Sequence, residues 1–146
     1  MKVPRLKAAI AALAAIPLVL VATPSVASAD GIESAWAYWQ APGSANAGGY
    51  GMFFSYGEVL RVQDWTADGW GTRAQIQKLL PDSNGVLHWV NHSTSCFDDT
   101  SRGDTSPGGW TTCNYSLAEG TMARVHVWAT RNGATKHHEY SPGIRA

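Results

Sequence analysis

The chain has 146 residues, 45% of them hydrophobic and 15% charged, with eleven basic and eleven acidic side chains. That is enough for one small domain and too apolar for a disordered chain. Residues 1–29 read as a secretory signal peptide: Lys2, Arg5 and Lys7 precede an apolar run from Ala8 to Ala22, and Ala27-Ser28-Ala29 supplies a small-residue cleavage site. Without that segment, which carries three of the basic residues, 117 residues remain with a net charge of about −3, a balance that argues against nucleic-acid binding.

Nothing after Val21 approaches the about 20 apolar residues of a membrane span, so residues 30–146 are expected to form one soluble, secreted, monomeric domain. In chain order, strand-like segments occur at Ala35–Gln40, Tyr50–Tyr56, Glu58–Trp65, Arg73–Leu80, Val86–His92, Trp110–Tyr115, Met122–Thr130 and Ala134–Tyr140. Between the first two, residues 41–49 are small and turn-forming, which predicts a surface loop. Asp68-Gly69, Asn84-Gly85 and Asn132-Gly133 each lie between two strand-like segments and predict three hairpins, the first joining Glu58–Trp65 to Thr72–Ile76.

Period-two alternation places Ala123, Val125, Val127 and Ala129 on one face of a strand and Arg124, His126, Trp128 and Thr130 on the other. Leu60 and Val62 likewise oppose Arg61, Gln63 and Trp65. Seven to eight short half-apolar strands and no amphipathic helix predict an all-β antiparallel sandwich, immunoglobulin-like in general architecture. In an exported chain the two cysteines, Cys96 and Cys113, are expected to pair, closing a loop worth roughly 3 kcal/mol.

The segments Tyr56-Gly57-Glu58-Val59-Leu60-Arg61-Val62-Gln63-Asp64, Ala67-Asp68-Gly69-Trp70-Gly71, Leu117-Ala118-Glu119-Gly120-Thr121 and Arg124-Val125-His126-Val127 resemble a widespread group of small secreted actinobacterial proteins without an assigned biochemical function. The resemblance runs from about Gly57 to the C-terminus. It implies a secreted β-sandwich-like domain and carries no catalytic residue. Many members of that group have cysteines where this chain has Gln63 and His126; their joint absence predicts that these two positions are neighbours on adjacent strands. Residues 57–74 are also faintly similar to bacterial SH3-like wall-binding domains, through a hydrophobic strand followed by Asp68-Gly69-Trp70-Gly71.

No Gly-x-Ser-x-Gly elbow, His-Glu-x-x-His helix, phosphate loop or dinucleotide fingerprint is present, so neither a common catalytic class nor a cofactor is indicated. Glu58, Asp64, Asp68, Asp98, Asp99 and Asp104 supply carboxylates from which a hydrolase pair would have to come. Metal binding is not expected. His88 and His92 on a strand are about 13 Å apart, too far to share one ion, and the adjacent His137 and His138 point to opposite faces as exposed polar residues. The acidic loop from Phe97 to Ser106 has oxygens for a weak calcium site, but it lacks EF-hand spacing and reads as a solvated loop capping its own turns.

Seven tryptophans are the strongest compositional signal. Trp39, Trp89 and Trp128 lie within predicted strands and are assigned to packing, whereas Trp65, Trp70 and Trp110 border turns. Those three, with Asp64 and Asp68 as acceptors for hydroxyls, are the predicted ligand-binding residues of a non-catalytic module for an extracellular polysaccharide or protein partner. Arg102, near the tip of the disulfide-closed loop, suggests a second reading as a protease inhibitor.

Overall fold

The computed structural model describes residues 33–100 and 109–146. Among the described residues the chain forms ten strands and no helix: β1 (Ser34–Trp39), β2 (Gly49–Phe54), β3 (Val59–Asp64), β4 (Gly71–Pro81), β5 (Leu87–Asn91), β6 (Cys96–Asp98), β7 (Thr111–Asn114), β8 (Met122–Arg131), β9 (Ala134–Tyr140) and β10 (Ile144–Arg145). They make two packed antiparallel sheets, the expected sandwich. The first has the order β1-β2-β3-β7. The second is built on the long β4–β8 pair, with β5 and β6 end to end along one edge and β9 and β10 along the other. The likeness to an immunoglobulin domain extends only to this two-sheet packing, because β1, β2 and β3 form a meander.

The core follows the alternation. Ala123, Val125, Val127 and Ala129 are fully buried on β8, as are Leu60 and Val62 on β3, Ala74 and Ile76 on β4, and Phe53 on β2. Small inward residues let the sheets approach closely at the centre. A side chain at Gly51 would place its Cβ 2.8 Å from the Ala74 Cβ and 2.9 Å from the Val125 Cγ1, so only glycine fits under β4 and β8.

Two predicted hairpins are present. β4 turns into β5 through residues 82–86, where the Asp82 carboxylate accepts the Asn84 and Val86 amides at 2.8 and 2.9 Å. Those two amides hold the Asp82 carboxyl below its ordinary pKa. β8 turns into β9 through Asn132 and Gly133, both at positive φ, the pattern of a two-residue type I′ turn.

The third predicted hairpin is overturned. β3 and β4 lie in different sheets, so residues 65–70 form an arch across the sandwich. Asp68-Gly69 still makes a tight turn, with the Asp68 Oδ1 accepting the Trp70 amide at 2.9 Å. What separates the strands is burial: Gln63 and Asp64 are both buried, which a half-exposed hairpin strand would not allow. The proposed neighbours 63 and 126 are likewise apart, since Gln63 pairs with Tyr50 in the first sheet and His126 with Gln75 and Tyr140 in the second. The loop before β2 also departs from expectation at its end. Gly48 is buried because the Trp39 indole lies against it, 2.0 Å from where a Cβ would sit.

The disulfide does more than restrain a loop. Cys96 on β6 and Cys113 on β7 are bonded with Cα atoms 6.0 Å apart, so the bridge joins the two sheets along one open side of the sandwich. Beside it the Asp98 carboxylate, on β6, accepts the Asp64 amide of β3 at 2.7 Å and the Thr100 hydroxyl at 2.7 Å. Among the described residues no helix is long and apolar enough to cross a membrane.

Candidate functional site

The other open side of the sandwich is not stapled. There the edge strands β1 and β9 approach each other and leave a groove of about 320 Å³, lined by Trp36, Ala37, Tyr38, Gln40, Glu139 and Tyr140. The sequence of β1 explains its lining. Ala35, Ala37 and Trp39 point into the core, so Trp36 and Tyr38 must point out. They are 53% and 43% exposed, and Tyr140 of β9 is 46% exposed, so three aromatic side chains reach solvent here.

The aromatic surface continues across the first sheet. The Trp36 and Tyr38 rings lie 6.0 Å apart at 19°, Tyr38 meets Tyr50 at 5.9 Å, and Tyr50 meets the edge of Trp65 at 5.4 Å. Residues two apart on β1, and then successive strands, thus carry one stripe from the groove to the start of the arch.

Behind Tyr140 the outer face of the second sheet is a continuous stack. The Arg124 guanidinium sits 4.3 Å from the Tyr140 ring and 4.5 Å from Trp89, and its Nε donates to the Gln77 Oε1 at 2.9 Å. The His126 ring stacks on Tyr140 at 4.5 Å and meets Trp128 at 4.5 Å. This stack fixes the orientation of Tyr140 from behind.

Among the described residues His126 is a strongly perturbed titratable group. Half-burial, then repulsion from His138 and from Arg124, lowers its pKa to about 4. Its Nε2 hydrogen-bonds the His138 Nδ1 at 2.9 Å, while its buried Nδ1 has no partner among the described residues. A charged imidazolium would force an unpartnered N–H into that place, so the ring is held neutral.

The remaining histidines take structural roles. His88 hydrogen-bonds Asp82 at 3.1 Å and His92 bonds the Ser116 carbonyl at 2.7 Å. His137 is not simply an exposed polar residue, as expected, because a bulge intervenes: Val127 pairs with Glu139 but Ala129 pairs with Lys136, and His137 takes φ 53°. The extra residue lets His137 stack on Trp39 at 5.8 Å while His138 stacks on Trp128 at 5.8 Å. Among the described residues no three His, Cys, Asp or Glu side chains converge as metal ligands.

The ligand-binding residues expected from sequence are not brought together. Trp65 ends the aromatic stripe. Trp70 packs partly buried against the core with the Lys136 ammonium 3.8 Å from its ring centre, and Trp110 is also partly buried; neither lines the groove. Asp64 is buried and accepts the Thr72 hydroxyl at 3.4 Å, so it faces the interior and not a ligand. Asp68 is engaged in its own turn. Arg102 and Asp104 lie outside the described residues.

The carboxylates proposed for hydrolysis have structural duties: Glu58 accepts the Leu117 amide at 2.8 Å, and buried Asp98 ties β6 to β3. Asp98 is thus not part of a solvated loop. The residues that sequence reading passed over are Trp36, Tyr38, Glu139 and Tyr140. Their signal was the Ala-Trp-Ala-Tyr-Trp alternation of β1, which sets two aromatics opposite two alanines.

No family model matches this chain, and no curated protein or solved structure is significantly similar to it.

Proposed function

We propose that this protein is a secreted, non-catalytic binding domain for extracellular polysaccharide, and that the groove between β1 and β9 is its ligand site. The observation that carries the reading is the nearly parallel, exposed pair Trp36 and Tyr38, which lines a groove of about 320 Å³ together with Tyr140. A pyranose presents an apolar face of C–H bonds that stacks on an aromatic ring, and hydroxyls around its rim that need polar partners. Both are provided for. The phenolic hydroxyls of Tyr38 and Tyr140 make no hydrogen bond among the described residues, and Gln40 and Glu139 add acceptors at the groove's edge.

Two further features support the reading. A disulfide between the sheets suits an oxidising, extracellular setting. One carboxylate, Glu139, lines the groove, whereas glycoside hydrolysis ordinarily employs two facing each other.

The test is retention of the domain on insoluble polysaccharides and in gels containing soluble glucans. Trp36→Ala and Tyr38→Ala should each abolish retention while unfolding at the wild-type temperature, because both side chains are largely outside the core. Val86→Ala, at the exposed tip of the β4–β5 hairpin, should bind as wild type does. Undiminished retention of Trp36→Ala, or no retention of the wild type on any polysaccharide, would overturn the proposal.

A further inference from the structure

We infer that the groove selects a polysaccharide bearing free amines, a glucosamine-type polymer whose ammonium groups sit between Glu139 and the aromatic faces. The inference rests on the polysaccharide reading and names the class of sugar.

Charge decides it. Glu139 is exposed, lines the groove, and has no hydrogen-bond or ion-pair partner among the described residues. Of the cations near this region, one lies over a groove-lining ring and the other lies away from the groove. Arg124 is held between Trp89 and Tyr140 and bonded to Gln77, and Lys136 lies over Trp70; neither lines the groove. Glu139 is the one formally charged residue that lines the groove.

The rings add to it with the same sign. The face of Trp or Tyr carries negative quadrupolar potential and attracts a cation within about 6 Å of its centre. Trp36 and Tyr38 line the groove together with a single carboxylate, whereas the Tyr140 ring already holds the Arg124 guanidinium 4.3 Å from its centre. A uronic-acid polymer would be repelled by the carboxylate and by the ring faces alike. A neutral glucan would gain stacking and hydroxyl hydrogen bonds but no ion pair. A glucosamine polymer gains stacking, an ion pair and a cation–π contact without further rearrangement.

The arrangement also favours a sugar over a lysine-rich peptide. Trp36 and Tyr38 stack along β1 with their rings 6.0 Å apart and largely exposed, an open strip that offers no enclosure for a lysine head.

The experiment is calorimetric titration of the domain with one β-1,4-linked oligosaccharide in two forms, free amine and fully N-acetylated, in low-salt, mildly acidic buffer. N-acetylation removes the charge and keeps the sugar backbone, so the comparison needs no protein variant. The amine form should bind about tenfold more tightly, from loss of a cation–π contact and an exposed ion pair together. Glu139→Gln should reduce that preference to about threefold, and added salt should reduce it in the wild type.

Equal affinity for the two forms, unaffected by Glu139→Gln, would overturn the amine inference and leave the polysaccharide reading standing. Binding of neither form, nor of any neutral glucan, would overturn both. A lysine oligopeptide that binds more tightly than the amine sugar, with the same dependence on Glu139, would also overturn the inference, assigning the groove to a protein partner.

Discussion

Thr72 lies fully buried at the centre of the sandwich, where its hydroxyl accepts the Trp39 indole N–H at 3.0 Å and donates to the Asp64 carboxylate at 3.4 Å. Thr72→Val keeps the shape of the side chain and removes both interactions. The indole N–H is then left buried with no acceptor, which costs about 1–3 kcal/mol, and loss of the bond to the Asp64 carboxyl adds to it, so about 3 kcal/mol is expected in total. For a domain of this size roughly 4 °C accompanies each kcal/mol, giving a fall of about 12 °C in Tm. Thr72→Ser retains the hydroxyl and loses one buried methyl, costing about 1 kcal/mol and about 4 °C. Thermal unfolding followed by tryptophan fluorescence measures both. If Thr72→Val is as stable as the wild type, or Thr72→Ser is the worse of the two, the hydrogen bonds do not hold Trp39 and the reasoning fails.

Reduction of Cys96–Cys113 should cost about 3 kcal/mol by freeing the unfolded chain, and because the bridge joins β6 to β7, amide exchange should accelerate along both strands; unchanged exchange on β7 would contradict this inter-sheet role. Gly51→Ala should destabilise by about 1–3 kcal/mol, since its Cβ meets buried atoms of both β4 and β8 inside 3.0 Å, and a neutral result in chemical denaturation would show that the sheets can part there. His126 binds its proton with a pKa of about 4 in the folded chain and about 6.5 unfolded, so the unfolded state holds more protons between those values and stability falls as pH drops from about 6.5 to about 4. In His126→Phe that part of the slope should vanish; a slope unchanged from wild type would place the titrating group elsewhere.

The strands that turn chemistry and alternation define locally were legible in the sequence. Asp82 to Gly85 and Asn132-Gly133 carry their own turn-forming hydrogen bonds or positive φ values, so β4–β5 and β8–β9 need no distant partner to be recognised. Ala123 to Ala129 declares its buried face by period alone. The arch after β3 was not legible, because Asp68-Gly69 between two strands has the same local chemistry whether the strands pair or face each other across a core. The difference lies in Asp98 and Thr72, which reach the Asp64 backbone and side chain from the other sheet.

The candidate site divides in the same way. Tryptophans beside turns promised exposure, yet Trp70, where the arch enters β4, folds against the core under Lys136. Trp36 and Tyr38 sit within a strand, where packing is the ordinary fate, and face solvent because β1 is the edge of its sheet and its other face fills the core. Edge position depends on which strands pair, and the approach of β9 packs together segments about a hundred residues apart in the chain. No local pattern encodes them.

The most direct measurement of the central claim follows the seven indole N–H signals in an amide-nitrogen NMR spectrum while an oligosaccharide bound by the domain is titrated in. The Trp36 signal should move most, with a smaller shift at Trp65 through the stripe, while buried Trp39 stays in place. Movement of Trp70 and Trp110 with Trp36 unchanged would contradict the groove as the binding site.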